Sequence, residues 1–254
     1  MQRGTLWTVA ATGTVLTALL SGCSSGGDDD QSAGGAVVSS AATSGSGSSS
    51  PAAGTPTGPP PAPGAVVFSD EMDDDRNGWG TGPGLAFTGG EYVEKATVPA
   101  GLAGWPDAMV RTTPESVVVT ARMSAPSGSA VLAVTCNNVP DGQGGGEFYA
   151  LGISGDATFI SRTSSYDEVP LRGDLLAQTD SGVDLTVPHD LQGSCVLAGD
   201  EMDLWLSVDG QPVLSAVDDE PLGAGPPGLQ MVGADADGTS FEAHAASFSV
   251  ATPA

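Results

Sequence analysis

Glu201 and Asp203 stand on alternate residues of a 254-residue chain, two carboxyl groups of the kind that cleavage of a glycosidic bond uses. That reaction needs two carboxyl groups, one acting as acid and one as base or nucleophile, and positions i and i+2 of a strand share a face. The next residue on that face is Trp205. A second constellation, Asp73-x-Asp75-x-Asn77-Gly78, has the alternate oxygen ligands and sharp glycine turn with which a calcium loop opens. Position twelve of that loop is Gly84 rather than Glu, which excludes an EF-hand. A calcium shell here needs carboxylates from another loop, such as Asp235 or Asp237; the competing reading is a plain acidic turn. Trp105, between Gly104 and Pro106, and Tyr166, in a loop-like stretch, are candidate ligand-binding platforms, because a flat apolar ring stacks on the CH face of a sugar. His189 and His244 lack the spacing of a metal or catalytic pair, and no serine sits in a nucleophile elbow.

Charge and composition narrow the classes further. Seven Lys+Arg against 31 Asp+Glu give a net charge of −24, which excludes a protein that tracks nucleic-acid phosphates. Such self-repulsion keeps a chain soluble and weakens its compact state. The functional version of that charge is a cation or a basic partner, and the alternative is a general acidic bias of exported proteins. With 37 Gly, 19 Pro and 5% aromatic residues, the composition favours many turns and short strands over long helices.

The N-terminus supplies an address. Met1-Gln2-Arg3 precedes an apolar run from Leu6 to Leu20 that is too short for a membrane span and suits an export signal. It ends in Leu20-Ser21-Gly22-Cys23, which resembles the lipobox of bacterial lipoproteins. The resemblance implies that residues 1–22 are a removed signal peptide and that Cys23 is lipidated, leaving the protein extracytoplasmic and anchored to the cell membrane. Each acyl chain contributes about 0.8 kcal/mol per buried methylene, and more than one chain makes the anchor stable. With Cys23 so assigned, Cys136 and Cys195 remain as an even pair in an oxidising compartment, and a disulfide between them is expected. The alternative is two buried free thiols.

Residues 23–64 read as the lipidated cysteine and a disordered Ser/Gly/Pro-rich tether, too poor in branched apolar residues to fold. Residues 65–254 are one domain's worth of sequence. Strand-like runs recur there between Gly, Pro, Asp and Asn clusters: 91–96, 116–123, 130–136, 147–154, 157–162, 194–197, 202–208, 212–217, 229–232 and 241–250. Met202, Leu204, Leu206 and Val208 alternate with Asp203, Trp205, Ser207 and Asp209, and Trp205 implies that the second face is covered as well. Leu171–Gln178 is the single stretch with any helical character. The spacing predicts an all-β antiparallel sandwich.

Several landmarks, in order, resemble the concanavalin A-like lectin/glucanase (laminin-G-like) jelly-roll sandwich of actinobacterial-type envelope proteins. They are Phe68-Ser69-Asp70 with Asn77-Gly78-Trp79, Gly89-Gly90-Glu91-Tyr92, Glu147 to Ile153 after Cys136, Leu204 to Gly210 after Cys195, and Ala246 to Val250. The resemblance implies the fold, a core role for Trp79, and a tendency towards carbohydrate or protein recognition. The laminarinase-type glucanases of that superfamily carry Glu, Asp and Glu on alternate residues of one strand, and Trp205 breaks that pattern here. The expectation is therefore not an enzyme but a surface-tethered recognition lipoprotein, its partners the membrane through the lipid and an envelope glycan or protein. Two alternatives stand beside it, an envelope polysaccharide hydrolase using Glu201 and Asp203, and an accessory lipoprotein bound to another membrane protein.

Overall fold

In the computed structural model, residues 54–97, 113–142, 145–164, 173–233 and 240–254 are described. All belong to the compact unit Ser49–Ala254. Their regular elements are β-strands: β1 Pro63–Asp70, β2 Leu85–Thr88, β3 Glu91–Thr97, β4 Val117–Ser127, β5 Ala130–Pro140, β6 Gly146–Ser154 and β7 Ala157–Ser164. There follow β8 Asp174–Asp180, β9 His189–Ala198, β10 Glu201–Val208, β11 Gln211–Asp218, β12 Gly228–Gly233 and β13 Ser240–Pro253. They form two antiparallel sheets. The larger runs β11-β10-β9-β4-β13-β3-β2, with β1 also paired to β13, and the smaller runs β12-β5-β6-β7-β8. The expected all-β sandwich is the observed fold.

Period-two patterning decides what lies between the sheets. Met202, Leu204, Leu206 and Val208 of β10 join Leu132 and Val134 of β5, Leu151 and Ile153 of β6 and Phe248 and Val250 of β13 in one buried core. The sheets approach so closely at Gly193 of β9 that a Cβ there would lie 2.6 Å from Cγ2 of Val134. Cys136 of β5 and Cys195 of β9 form the expected disulfide across this core, with their Cα atoms 6.6 Å apart. The β10–β11 hairpin turns on Asp209 and Gly210, both at positive φ, 51° and 73°, the left-handed pair that a tight hairpin needs.

Trp79 is a core plug, 3% exposed. Its ring meets Phe248 edge-on at a centroid distance of 5.3 Å and lies 5.8 Å from Tyr92. Its indole N–H donates to Oδ2 of Asp70 over 2.6 Å.

One sequence expectation is corrected. Instead of a helix over Leu171–Gln178, residues 174–180 form β8, an edge strand paired with β7 from Ala157↔Asp180 to Arg162↔Asp174. A short stretch of weak intrinsic preference takes its conformation from the ladder offered by β7 rather than from its own propensity.

The described chain begins inside the stretch read as tether. Gly54 bridges Val217 of β11, whose N–H donates to the Gly54 carbonyl over 3.0 Å, and Pro56 is buried.

Candidate functional site

Glu201 and Asp203 lie on β10, with their side chains on the side of the larger sheet away from the core. Their Cα atoms are about 7 Å apart, as strand geometry requires. Glu201 is exposed; Asp203 is half-buried, and that burial pushes its carboxyl above the usual carboxylate range. Trp205 follows on the same face and is 8% exposed. The cover expected over it is the Pro-rich segment. Thr55, Pro56, Gly58 and Pro60 and the β11 residues Pro212 to Ser215 line a cavity of about 460 Å³ with Trp205.

The Asp73–Asn77 loop spends most of its side chains on one another at the surface. Arg76 pairs with Asp73 at 2.8 Å and Asp74 at 2.7 Å. The Asn77 amide N–H donates to Oδ2 of Asp70 over 2.8 Å, and the Gly78 N–H closes a turn on the Asp75 carbonyl. Among the described residues, no group of three or more His, Cys, Asp or Glu is placed to hold a metal ion. Asp235, Asp237, Trp105, Tyr166 and Cys23 lie outside the described residues.

Both histidines are held by acceptors on both ring nitrogens. His189 Nδ1 lies 2.8 Å from Oδ2 of Asp209 and Nε2 lies 3.0 Å from the Asp184 carbonyl. His244 Nδ1 lies 2.6 Å from Oε2 of Glu91 and Nε2 lies 2.8 Å from Oε1 of Glu242, which also pairs with Lys95 at 2.9 Å. Partial burial lowers each pKa, but the paired acceptors outweigh it and the net shift is upward. Only the imidazolium can donate from both nitrogens at once. The stabilisation is therefore complete below the unfolded histidine pKa and is lost as pH rises through the raised folded value. Between pH 6 and 8.5 the wild type is expected to lose more thermal stability than a His189→Asn/His244→Asn variant. Equal slopes for the two proteins would refute this account.

The constellation the sequence did not reveal stands on the outer side of the smaller sheet. Strands β5 and β6 are apolar in both phases. The inward set joins the inter-sheet core, whereas Val131, Ala133, Phe148, Ala150, Phe159 and Val232 form a second buried cluster on the opposite face. Strand register orders this face into rows. One row runs Thr135–Ala150–Ser161, and the next runs Gln230–Ala133–Gly152–Phe159. Thr135, Ser161 and Gln230 are 1%, 0% and 4% exposed. Thr135 Oγ1, Ser161 Oγ and Gln230 Oε1 have no hydrogen-bond partner. Native proteins leave few such groups unpaired, and each one asks for an explanation. Thr135 and Ser161 flank β6, so their Cα atoms are about 10 Å apart, with only the Ala150 methyl group between them. The one sequence signal for this site was the doubly apolar phasing of β5 and β6 with isolated Thr135 and Ser161 in the outward phase.

No protein-family model matches this sequence, and no curated protein matches it. Solved structures do. An endo-β-galactosidase from Clostridium perfringens that releases GlcNAcα1-4Gal is similar over 79% of this chain and 66% of its own, with 14% identity and a TM-score of 0.51. A β-glucanase from Bacillus licheniformis is 13% identical over 74% of this chain and 99% of its own, with a TM-score of 0.49. A Bacillus subtilis protein of unknown function with a galectin-like fold is 12% identical over 76% of this chain and 98% of its own, also at 0.49. The likeness establishes the concanavalin A-like sandwich and transfers no activity. It also corrects the expectation that the chain is not an enzyme, because the fold is one that a glycoside hydrolase uses.

Proposed function

We propose that the protein is a glycan-binding sandwich held at the outer side of the cell membrane by a lipid on Cys23, and that it binds through the outward face of β12, β5, β6 and β7. The observation that carries this reading is the set of three buried, unpaired polar groups, on Thr135, Ser161 and Gln230, on the same face as the rings of Phe148 and Phe159. Hydroxyl and amide groups pair with sugar hydroxyls, and apolar rings stack on sugar CH faces. Ala133, Ala150 and Gly152 keep the floor between them low.

The lipid anchor and the residues that follow it set the reach. If the chain is free from Ser24 to Ala53 and docked from Gly54 onward, the flexible part spans roughly 30 Å root-mean-square.

The test is retention of the mature chain, from residue 23, on the cell-wall polysaccharides of the producing organism. Saturable binding is expected, and Phe159→Ala should weaken it roughly tenfold, the scale of one lost aromatic contact. Undiminished binding by Phe159→Ala with an unchanged Tm would place the ligand elsewhere.

A further inference from the structure

We infer that residues 54–62 are a strap that closes the outward face of the larger sheet and opens as a unit, hinged where it enters β1, to release Trp205 together with Asp203. This is the sheet opposite to the proposed glycan face, and the two readings are independent. Strand register fixes the course of the strap. Gly54 bridges Val217 at the open edge of β11, and Val217 lies in one row with Asp203 and Val196. At the far side the Ala254 N–H donates to the Ala62 carbonyl over 2.9 Å, and Pro63 of β1 pairs with Pro253 of β13. Strands β11, β10, β9, β4 and β13 lie between Gly54 and β1. Six strand spacings amount to roughly 29 Å along the sheet, and the nine residues from Gly54 to Pro63 reach at most about 32 Å, so the strap has no slack to loop away. It crosses on the outward side, where Thr55, Pro56, Gly58 and Pro60 face Trp205 across the cavity of about 460 Å³.

The strap is weakly seated. Of residues 54–62 only Pro56 is buried; Pro60 and Pro61 are half-buried and the others exposed. The Gly54 carbonyl accepts from the Val217 N–H at 3.0 Å and the Ala62 carbonyl accepts at the other end, but among the described residues Thr55 to Pro61 make no hydrogen bond. Pro56, Pro59, Pro60 and Pro61 have no N–H to donate. A segment with so few buried apolar contacts and backbone bonds is among the first to open. The same prolines limit the freedom it gains on lifting, so it re-seats at little entropic cost. The surface beneath is better shielded than the strap itself. Ser194, Val118 and Ala251 continue the row of Trp205 across the sheet and are 1%, 1% and 4% exposed. Lifting the strap uncovers the Trp205 ring with Asp203 and Glu201 on the same face of β10. A pull on the chain from its N-terminal side loads the Gly54–Val217 contact before any strand, which gives the strap a direction in which to release.

A covalent lock is the direct test. A Cβ at Gly54 would lie 3.3 Å from the Val217 Cβ, close to the separation that a disulfide spans. Gly54→Cys/Val217→Cys therefore staples the strap shut, and a mild reductant frees it while the buried Cys136–Cys195 bridge stays intact. The readout is hydrogen exchange of the Trp205 indole N–H in the mature chain, followed by nuclear magnetic resonance. Exchange is expected to be at least roughly tenfold slower in the oxidised staple than in the same protein reduced, with the Trp79 indole, bonded to Asp70, unchanged between the two states. Equal exchange of Trp205 in the two states would overturn the inference. The wild type supplies a second reading that needs no substitution. Its Val217 amide and its Trp205 indole should share one opening constant, at least roughly tenfold larger than that of the amides bonding β11 to β10. Protection of Val217 equal to that of this ladder would mean that the strap lifts only when the sheet itself unfolds, and would overturn the inference as well.

Discussion

Replacing Cys136 and Cys195 together by alanine is expected to lower the melting temperature by roughly 10 °C. The bridge closes a loop of 59 residues. The chain-entropy account gives such a loop about 4 kcal/mol through the unfolded state, and a domain of this size loses roughly 2–4 °C per kcal/mol. The position makes the loss structural as well as entropic. Cys136 lies in the smaller sheet and Cys195 in the larger, both fully buried, so the bond is a covalent tie between the two layers. Reduction of the wild type should reproduce the shift, and reduction of the double variant should add nothing. A double variant within 2 °C of the wild type by calorimetry would mean that packing alone holds the layers.

Asp70→Ala is the second large effect. One buried carboxylate receives the Trp79 indole N–H at 2.6 Å, the Asn77 amide at 2.8 Å and the Met72 backbone N–H at 2.8 Å. Hydrogen bonds to a charged group contribute roughly 1.5–3 kcal/mol each, and within one network their losses do not add. A total of about 3 kcal/mol follows, or roughly 6–12 °C in Tm. Trp79 packs on Phe248 and Tyr92, so its near-ultraviolet circular dichroism should weaken with the Tm. Asp70→Asn should fall between the two proteins, since its own NH2 then confronts donors. An unchanged Tm in Asp70→Ala would remove Asp70 from any role in seating Trp79.

Much of the fold is legible in the residues themselves. Met202, Leu204, Leu206 and Val208 announce a strand with one face in the core, and that is where they lie. Trp205 in the opposite phase announces a covered second face. What covers it was not legible, because Thr55 to Pro60 has no apolar periodicity and finds its place only against Trp205 and the edge of β11, far away in sequence. For the same reason Leu171–Gln178 looked weakly helical: the decisive partner of β8 is β7, and ladder pairing is not written in local propensity.

The candidate site was the least legible part. Thr135, Ser161 and Gln230 come from three strands and share one face only through register, with Ala133, Ala150 and Gly152 as the positions between them. A one-residue slip of any strand would turn its contribution to the other face. A sequence shows phase within a strand but not the row shared across strands. Glu201 and Asp203 advertise chemistry on a single strand, as do Asp73, Asp75 and Asn77 in one loop, where Arg76 and Asp70 take up two of the three side chains.

The most direct test of the central claim is a nuclear magnetic resonance titration of the mature chain with a soluble fragment of a retained polysaccharide. The account predicts that the side-chain amide of Gln230 and the methyl groups of Thr135, Ala150 and Val232 shift together and saturably, with Trp205 unaffected. Shifts confined to Trp205, Val213 and Leu214, with the smaller sheet silent, would contradict it and move the binding face to the larger sheet.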